Sequence, residues 1–137
     1  MDTQTVSSEE EARFGDAFRR GMAIVRSLRE SGGGEIFLDL KTGSGARISF
    51  FPELGHRFKA VKAGMKLCNG KMKKEQQYGT LTGRTPDGDE ISLFHVLVCS
   101  KVGEARDTEP VMAPTGEVRD VVKPIIECRV IREEEDA

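Results

Sequence analysis

The hydrophobic period of this chain changes abruptly at three consecutive glycines, and that change restricts the fold more than any other feature. Before Gly32-Gly33-Gly34, the residues Phe14, Phe18, Met22, Val25 and Leu28 recur every three or four positions, the spacing of one helical face. Ser8 and Glu11 have the spacing of a capping box, and glycines commonly end helices, so a helix is predicted over 8–31. After the glycines, Ile36, Leu38 and Leu40 alternate with Glu35, Phe37 and Asp39, the period of a half-buried strand. Thr42-Gly43-Ser44-Gly45 is a turn by composition, and residues 46–51 alternate again. The segment therefore predicts a hairpin with Ile36, Leu38, Leu40, Ile48 and Phe50 toward the core.

Farther along, Pro52-Glu53 predicts the opening of a second helix, because proline suits the first helical position and an acid suits the first turn. At ~100° per residue, Leu54, Phe58, Val61, Met65 and Cys68 share one side of it, while Lys59, Lys62 and Lys66 share a separate flank. Asn69-Gly70 closes that helix. Residues 71–77 are polar and basic and predict a mobile loop. Residues 78–84 and 90–100 read as strands around the turn Pro86-Asp87-Gly88-Asp89. Residues 101–116 read as a long connection, and 118–131 as a last strand in which Pro124 favours a sheet edge or bulge. The expected fold is α+β: a mostly antiparallel curved sheet of about five strands with two amphipathic helices. One domain spans 1–137, with a flexible N-terminus at 1–7 and a solvated acidic tail at 132–137.

Several function classes find no support. No apolar run approaches the ~20 residues of a membrane span, and the acidic start is the reverse of a signal peptide. Cys68, Cys99 and Cys128 are odd in number and widely spaced, which predicts three reduced, mostly buried thiols and an intracellular compartment: cytosol, nucleus or organelle matrix. His95 and Cys99, four apart on a continuous strand, would stand ~13 Å apart and form no dyad. The glycine clusters read as cap and turn residues rather than a phosphate loop, and no enzyme motif is present. The expectation is a non-enzymatic protein with no metal and no cofactor.

Charge gives the positive signal. Residues 1–40 carry five Lys/Arg against eight Asp/Glu, residues 41–84 ten against two, and residues 85–137 six against thirteen. A block of +8 therefore sits inside a chain of net charge −2. If the hairpin buries its aliphatic side, Phe37, Lys41, Arg47 and Phe51 turn the other way, as a single-strand platform requires: rings for bases, cations for phosphates. Lys59, Lys62, Lys66, Lys71, Lys73, Lys74 and Arg84 extend the path. The competing expectation is that Phe37 and Phe51 pack beneath the first helix, with the lysines merely solvated.

The stretch Ile48-Ser49-Phe50-Phe51-Pro52-Glu53, followed by Phe58-Lys59, resembles the strand-to-helix corner of PC4-like coactivators, the Gly34–Leu40 and Gly45–Phe51 strands resemble that family's strands, and the segment is also similar to the related Whirly-type single-strand binders. The resemblance covers residues 34–68. It implies a curved antiparallel sheet that binds single-stranded DNA and helices that mediate dimerisation. The expected function is single-stranded DNA or RNA binding, with a possible homo-oligomer. The alternative is an assembly subunit whose basic surface docks an acidic protein.

Overall fold

The computed structural model describes residues 8–41, 45–111, 116 and 118–136. The predicted flexible segment 1–7 and the turn residues Thr42, Gly43 and Ser44 lie outside the described residues. The first helix forms where its period predicts it, as α1 (Ser8–Arg29), and β1 (Gly34–Lys41) and β2 (Gly45–Pro52) form the hairpin in antiparallel register. Then come α2 (Arg57–Leu67), β3 (Met72–Glu75), β4 (Thr80–Arg84), β5 (Glu90–Leu93), β6 (Leu97–Pro110) and β7 (Val118–Val130). The fold is α+β. Strands β1-β2-β5-β4-β3 make a five-stranded mixed sheet in that order, with β2 and β5 parallel and the other neighbours antiparallel. Strands β6 and β7 form a separate antiparallel ribbon.

Both helices cover one side of the sheet. Ile24, Val25 and Leu28 of α1 and Ala60 and Val61 of α2 bury with Ile48, Phe50, Leu81, Ile91 and Leu93. The buried stripe of α1 differs from the one its phenylalanines suggest, since Phe18 is half exposed while Ala17, Ile24, Val25 and Leu28 face the core. Small residues let the helix approach closely. A Cβ on Gly21 would stand 2.6 Å from Leu38 Cδ1 and 3.1 Å from Ala46 Cβ, closer than packed atoms tolerate. Leu40, expected in the core, is exposed near the end of the edge strand β1.

The second helix starts five residues later than the expected opening at Pro52. Pro52 ends β2 opposite Gly34, and α2 begins at Arg57 with no side-chain cap from His56. The cap comes from the opposite end of the described chain. Asp136 Oδ1 and Oδ2 accept the N–H groups of Gly55 and Phe58 at 2.9 Å each, and Arg57 Nε donates to Oδ1 at 2.9 Å. The Asp136 side chain is 3% exposed, so the acidic tail expected to be solvated leaves Arg132, Glu133 and Glu134 exposed but closes at Asp136 as a folded clasp. Burial pushes its carboxyl up, but the Phe58 N–H, Arg57 and the Gly55 N–H outweigh burial and hold it below its ordinary value. Leu54, assigned to the apolar stripe of a helix opening at Pro52, is two-thirds exposed in the loop before α2.

Four other expectations change. Residues 72–75 are not a loop but the edge strand β3, a position that tolerates lysines because one strand edge and much of its surface meet water. The strand expected over 90–100 breaks at Phe94-His95-Val96, where His95 takes φ 61° and sends the chain into the ribbon. Residues 101–110, expected as connection, pair with β7 from Leu97↔Val130 to Pro110↔Val118. That register sets Cys99 opposite Cys128, with Cα atoms 4.0 Å apart, and they form a disulfide, so the expected three reduced thiols are one thiol and one bond. Cys68 alone among the three cysteines is a free, buried thiol, its value raised by burial.

Candidate nucleic-acid interface

Because side chains alternate along each strand, the residues opposite the core share the sheet's other face, over which neither helix packs. Register puts Glu35, Phe37, Asp39, Lys41, Arg47 and Phe51 of the hairpin on this face together with Ser92 and Glu90 of β5, Thr82 and Arg84 of β4, and Lys73 and Glu75 of β3. The face divides into three zones.

One end is aromatic. Phe37 meets Phe51 edge-on with centroids 5.8 Å apart, and Phe51 stacks on Phe94 at 4.3 Å with 14° between the rings. The His95 ring stands 6.3 Å from Phe51. Phe37 is 51% exposed, Phe51 and Phe94 are half-buried, and His95 is exposed. The competing expectation that the two rings pack beneath the first helix fails, because α1 lies on the opposite side. Beside this cluster the chain stores backbone strain. Tyr78 and His95 both adopt left-handed φ, 59° and 61°, and the His95 N–H donates to the Tyr78 carbonyl at 3.0 Å. A non-glycine residue in that region costs on the order of 1 kcal/mol or more, and such strain gathers at working surfaces. Tyr78 is 63% exposed.

The middle is hydroxylic: Ser49, Ser92 and Thr82 lie side by side, with the Thr82 and Ser92 hydroxyls 3.3 Å apart. The far end is charged. Glu90 receives Lys41 Nζ at 2.9 Å and Arg47 Nε at 3.7 Å. The Lys41 hydrogen bond, then the Lys41, Arg47 and Arg84 charges, hold the Glu90 carboxyl below its ordinary value against the opposing effect of burial. Arg84 and Lys73 are exposed and have no ion-pair partner among the described residues.

The remaining predicted cations lie elsewhere. Lys59, Lys62 and Lys66 rim a groove of about 740 Å³ between α1 and α2, floored by Ile24, Ala63 and Leu67, on the other side of the molecule. Lys62 Nζ stands 5.5 Å over the Phe58 ring. At one end of the groove Asp89, 1% exposed, accepts Arg20 Nε at 2.9 Å and the buried Ala46 N–H at 2.9 Å, fixing the 85–89 turn against α1 and β2. The Asp89 hydrogen bond raises the Arg20 guanidinium above its ordinary value. Lys71 precedes the edge strand, and Lys74 pairs with Leu81 and so faces the helix side. The eleven predicted residues are therefore not one path. Phe37, Lys41, Arg47, Phe51, Lys73 and Arg84 share the open face, the three helical lysines share the groove, and Lys71 and Lys74 lie at the margin.

Sequence reasoning passed over Phe94, His95 and Tyr78. The alternation that placed Phe51 outward also places Phe94 on the Ser92 face, a signal present in residues 90–94. The left-handed turns that bring Tyr78 and His95 together have no such signature. Cys99 is held in its disulfide, so a His95–Cys99 dyad is excluded for a reason other than strand spacing. Among the described residues no three His, Cys, Asp or Glu side chains stand together as metal ligands would, and no helix is long and apolar enough to cross a membrane. Comparison with protein-family models, with curated proteins and with solved structures gives no match.

Proposed function

We propose that the chain binds single-stranded nucleic acid, DNA or RNA, on the open face of the sheet and catalyses no reaction there. The observation that carries this proposal is the cluster of Phe37, Phe51, Phe94 and His95, of which Phe37 and His95 are exposed, on a face with both helices behind it. Every base has a π-face, so bases stack on such rings for ~1–3 kcal/mol each with little regard to sequence. The hydroxyls of Ser49 and Thr82, both partly exposed, suit base edges or sugar, and Arg84 and Lys73 suit phosphate.

One observation favours the second reading, a surface for a protein partner. Lys41 and Arg47 are already held by Glu90, so the face offers phosphate less free charge than the +8 block suggests. Glu90→Gln separates the two readings. If phosphates meet this face, releasing Lys41 and Arg47 strengthens oligonucleotide binding and steepens its salt dependence. Arg84→Ala lowers the slope of log affinity against log salt by about 0.7, the share of one single-strand phosphate. Fluorescence anisotropy with labelled oligothymidylate and oligouridylate, titrated from low to physiological salt, reads both effects. Absence of binding at low salt defeats the proposal.

A further inference from the structure

Helices α1 and α2 lie on the same side of the sheet without closing on each other, and the gap between them is the groove of about 740 Å³. They run in opposite directions. Gly32, just past α1, lies against His56 before α2, and at the other end Arg20 of α1 reaches Asp89 while Cys68, just past α2, lies against Gly83 of β4. The groove therefore follows both helices, for ~15 Å between Arg20 and Glu30 at ~1.5 Å per residue. Ile24, Ala63 and Leu67 make its floor, and the small side chains of Ala23 and Ser27 keep the α1 wall low. The α2 wall is cationic from end to end, because Lys59, Lys62 and Lys66 stand three and four residues apart on one helical face. All three lysines are exposed, and none has a carboxylate within ion-pair distance among the described residues. Acids stand only at the ends: Glu30 at one, and at the other Asp87 and the Asp89 that already holds Arg20.

We infer that this groove takes an acidic amphipathic helix of a partner protein, with its apolar side on the floor and its carboxylates against the lysine wall. Shape supports a helix. A helix ~10 Å across, sunk to half its width over ~15 Å, occupies roughly 600 Å³, close to the volume between α1 and α2. The small residues along the floor and the α1 wall let a third helix approach closely, and an apolar stripe laid into an apolar groove is a common way to recognise one. Charge supports an acidic one. Three free cations at helical spacing along a single wall match carboxylates repeated at the same spacing along one flank of the incoming helix. Nucleic acid fits this groove less well. No aromatic ring stands among the lining residues for a base to stack on, the floor would meet phosphates with aliphatic side chains, and the acids at both ends would repel them. The groove lies on the far side of the sheet from Phe37 and Phe51, so its occupant is independent of what binds the open face.

The probe is a synthetic helix of about three turns, with leucines on one face, glutamates along the adjoining flank and fluorescein at one end. It is titrated by anisotropy against the full chain at low salt. Ala23 is exposed, so Ala23→Trp fills the groove without entering the core and should abolish binding. Lys59→Glu combined with Lys66→Glu leaves the Lys62–Phe58 contact in place and should weaken the probe about tenfold or more, since an exposed ion pair contributes up to about fivefold and each reversal adds repulsion. A probe with lysines in place of its glutamates should not bind. Affinity for oligothymidylate stays unchanged in both variants, and their melting by far-ultraviolet circular dichroism stays that of wild type. A glutamate probe that fails to bind at low salt, or binding that survives Ala23→Trp, overturns the inference. So does a lysine double variant that loses oligothymidylate and keeps the probe, which would give the groove to nucleic acid. A chain that sediments as two copies and is split by Ala23→Trp would seat a second copy there and overturns it as well.

Discussion

Phe37→Ala and Phe50→Ala remove the same ring from opposite sides of one hairpin, and their consequences should be opposite in kind. Phe50 is fully buried, on the side that packs against the helices, and Phe37 is 51% exposed on the other. Truncating a fully buried Phe loses its transfer free energy and leaves a cavity, about 3–5 kcal/mol in all. Phe37 has about half its surface covered, and its ring meets Phe51 edge-on. Full burial of such a side chain is worth ~1.5–3 kcal/mol, so its loss costs about 1 kcal/mol of folding stability. If bases stack on the ring, the same substitution removes ~1–3 kcal/mol of binding, a weakening of about fivefold to 150-fold at ~1.4 kcal/mol per factor of ten. Urea unfolding followed by circular dichroism gives the first quantity, and anisotropy at one fixed salt concentration gives the second. Phe50→Ala should show a large stability loss. Phe37→Ala should show a small one together with the binding defect. A Phe37→Ala variant that binds as tightly as wild type refutes the stacking role, and a folding loss of ~3 kcal/mol or more there refutes the assignment of faces.

Two further outcomes follow from buried carboxylates. Asp89→Asn keeps the shape but removes the charge that holds Arg20, and it leaves the buried Ala46 N–H a weaker acceptor; urea unfolding should register a loss of about 2–3 kcal/mol, moderated because Arg20 is one-third exposed. Asp136 lies below its ordinary value in the folded chain, so its contribution is complete above the unfolded value of ~3.9 and disappears as pH falls through the lower folded one. Glu135, held at about 2 by the Arg129 guanidinium and the Arg132 N–H, follows the same sign over a window from 4.5 down to about 2. Hydrogen exchange at the start of α2 should therefore accelerate as pH drops below ~4, relative to the intrinsic rate. Asp136→Asn should show that loosening already at neutral pH; unchanged protection there would mean that the clasp does not hold the helix.

What was legible in the residues tracks how local each cause is. Helix α1 and the β1–β2 hairpin follow from neighbouring periodicity, and their register makes the outward placement of Phe37 and Phe51 readable directly. The start of α2 is not local. Its cap, Asp136, lies 79 residues from Arg57, so the nearby proline and glutamate suggested a boundary that tertiary contact moved. Of the ribbon, β7 forms where the last strand was expected over 118–131, but most of β6 escaped notice because residues 101–110 read as a polar connection with Gly103 and Pro110. Likewise the Cys99–Cys128 bond depends on strand register, which no cysteine count supplies. Basic residues 71–74 looked like a loop because an edge strand needs few apolar side chains. The charge block was real as arithmetic, but folding distributed it over two opposite sides and tied two of its members to Glu90.

The single parallel seam in the five-stranded sheet has a consequence for how the chain reaches this structure. Strands β1 and β2 form one hairpin, and β3, β4 and β5 form a meander, each assembled from near neighbours along the chain. Their strands pair through Arg47–Phe50 beside Glu90–Leu93, four register pairs that bridge more than forty residues of intervening chain. Local pairings close short loops at low entropic cost, whereas this seam closes a long one. The two halves therefore mature early and separately. The step that completes the core is the zipping of β2 against β5, with α2 carried across between them, and the timing of folding is set at that seam rather than in either hairpin.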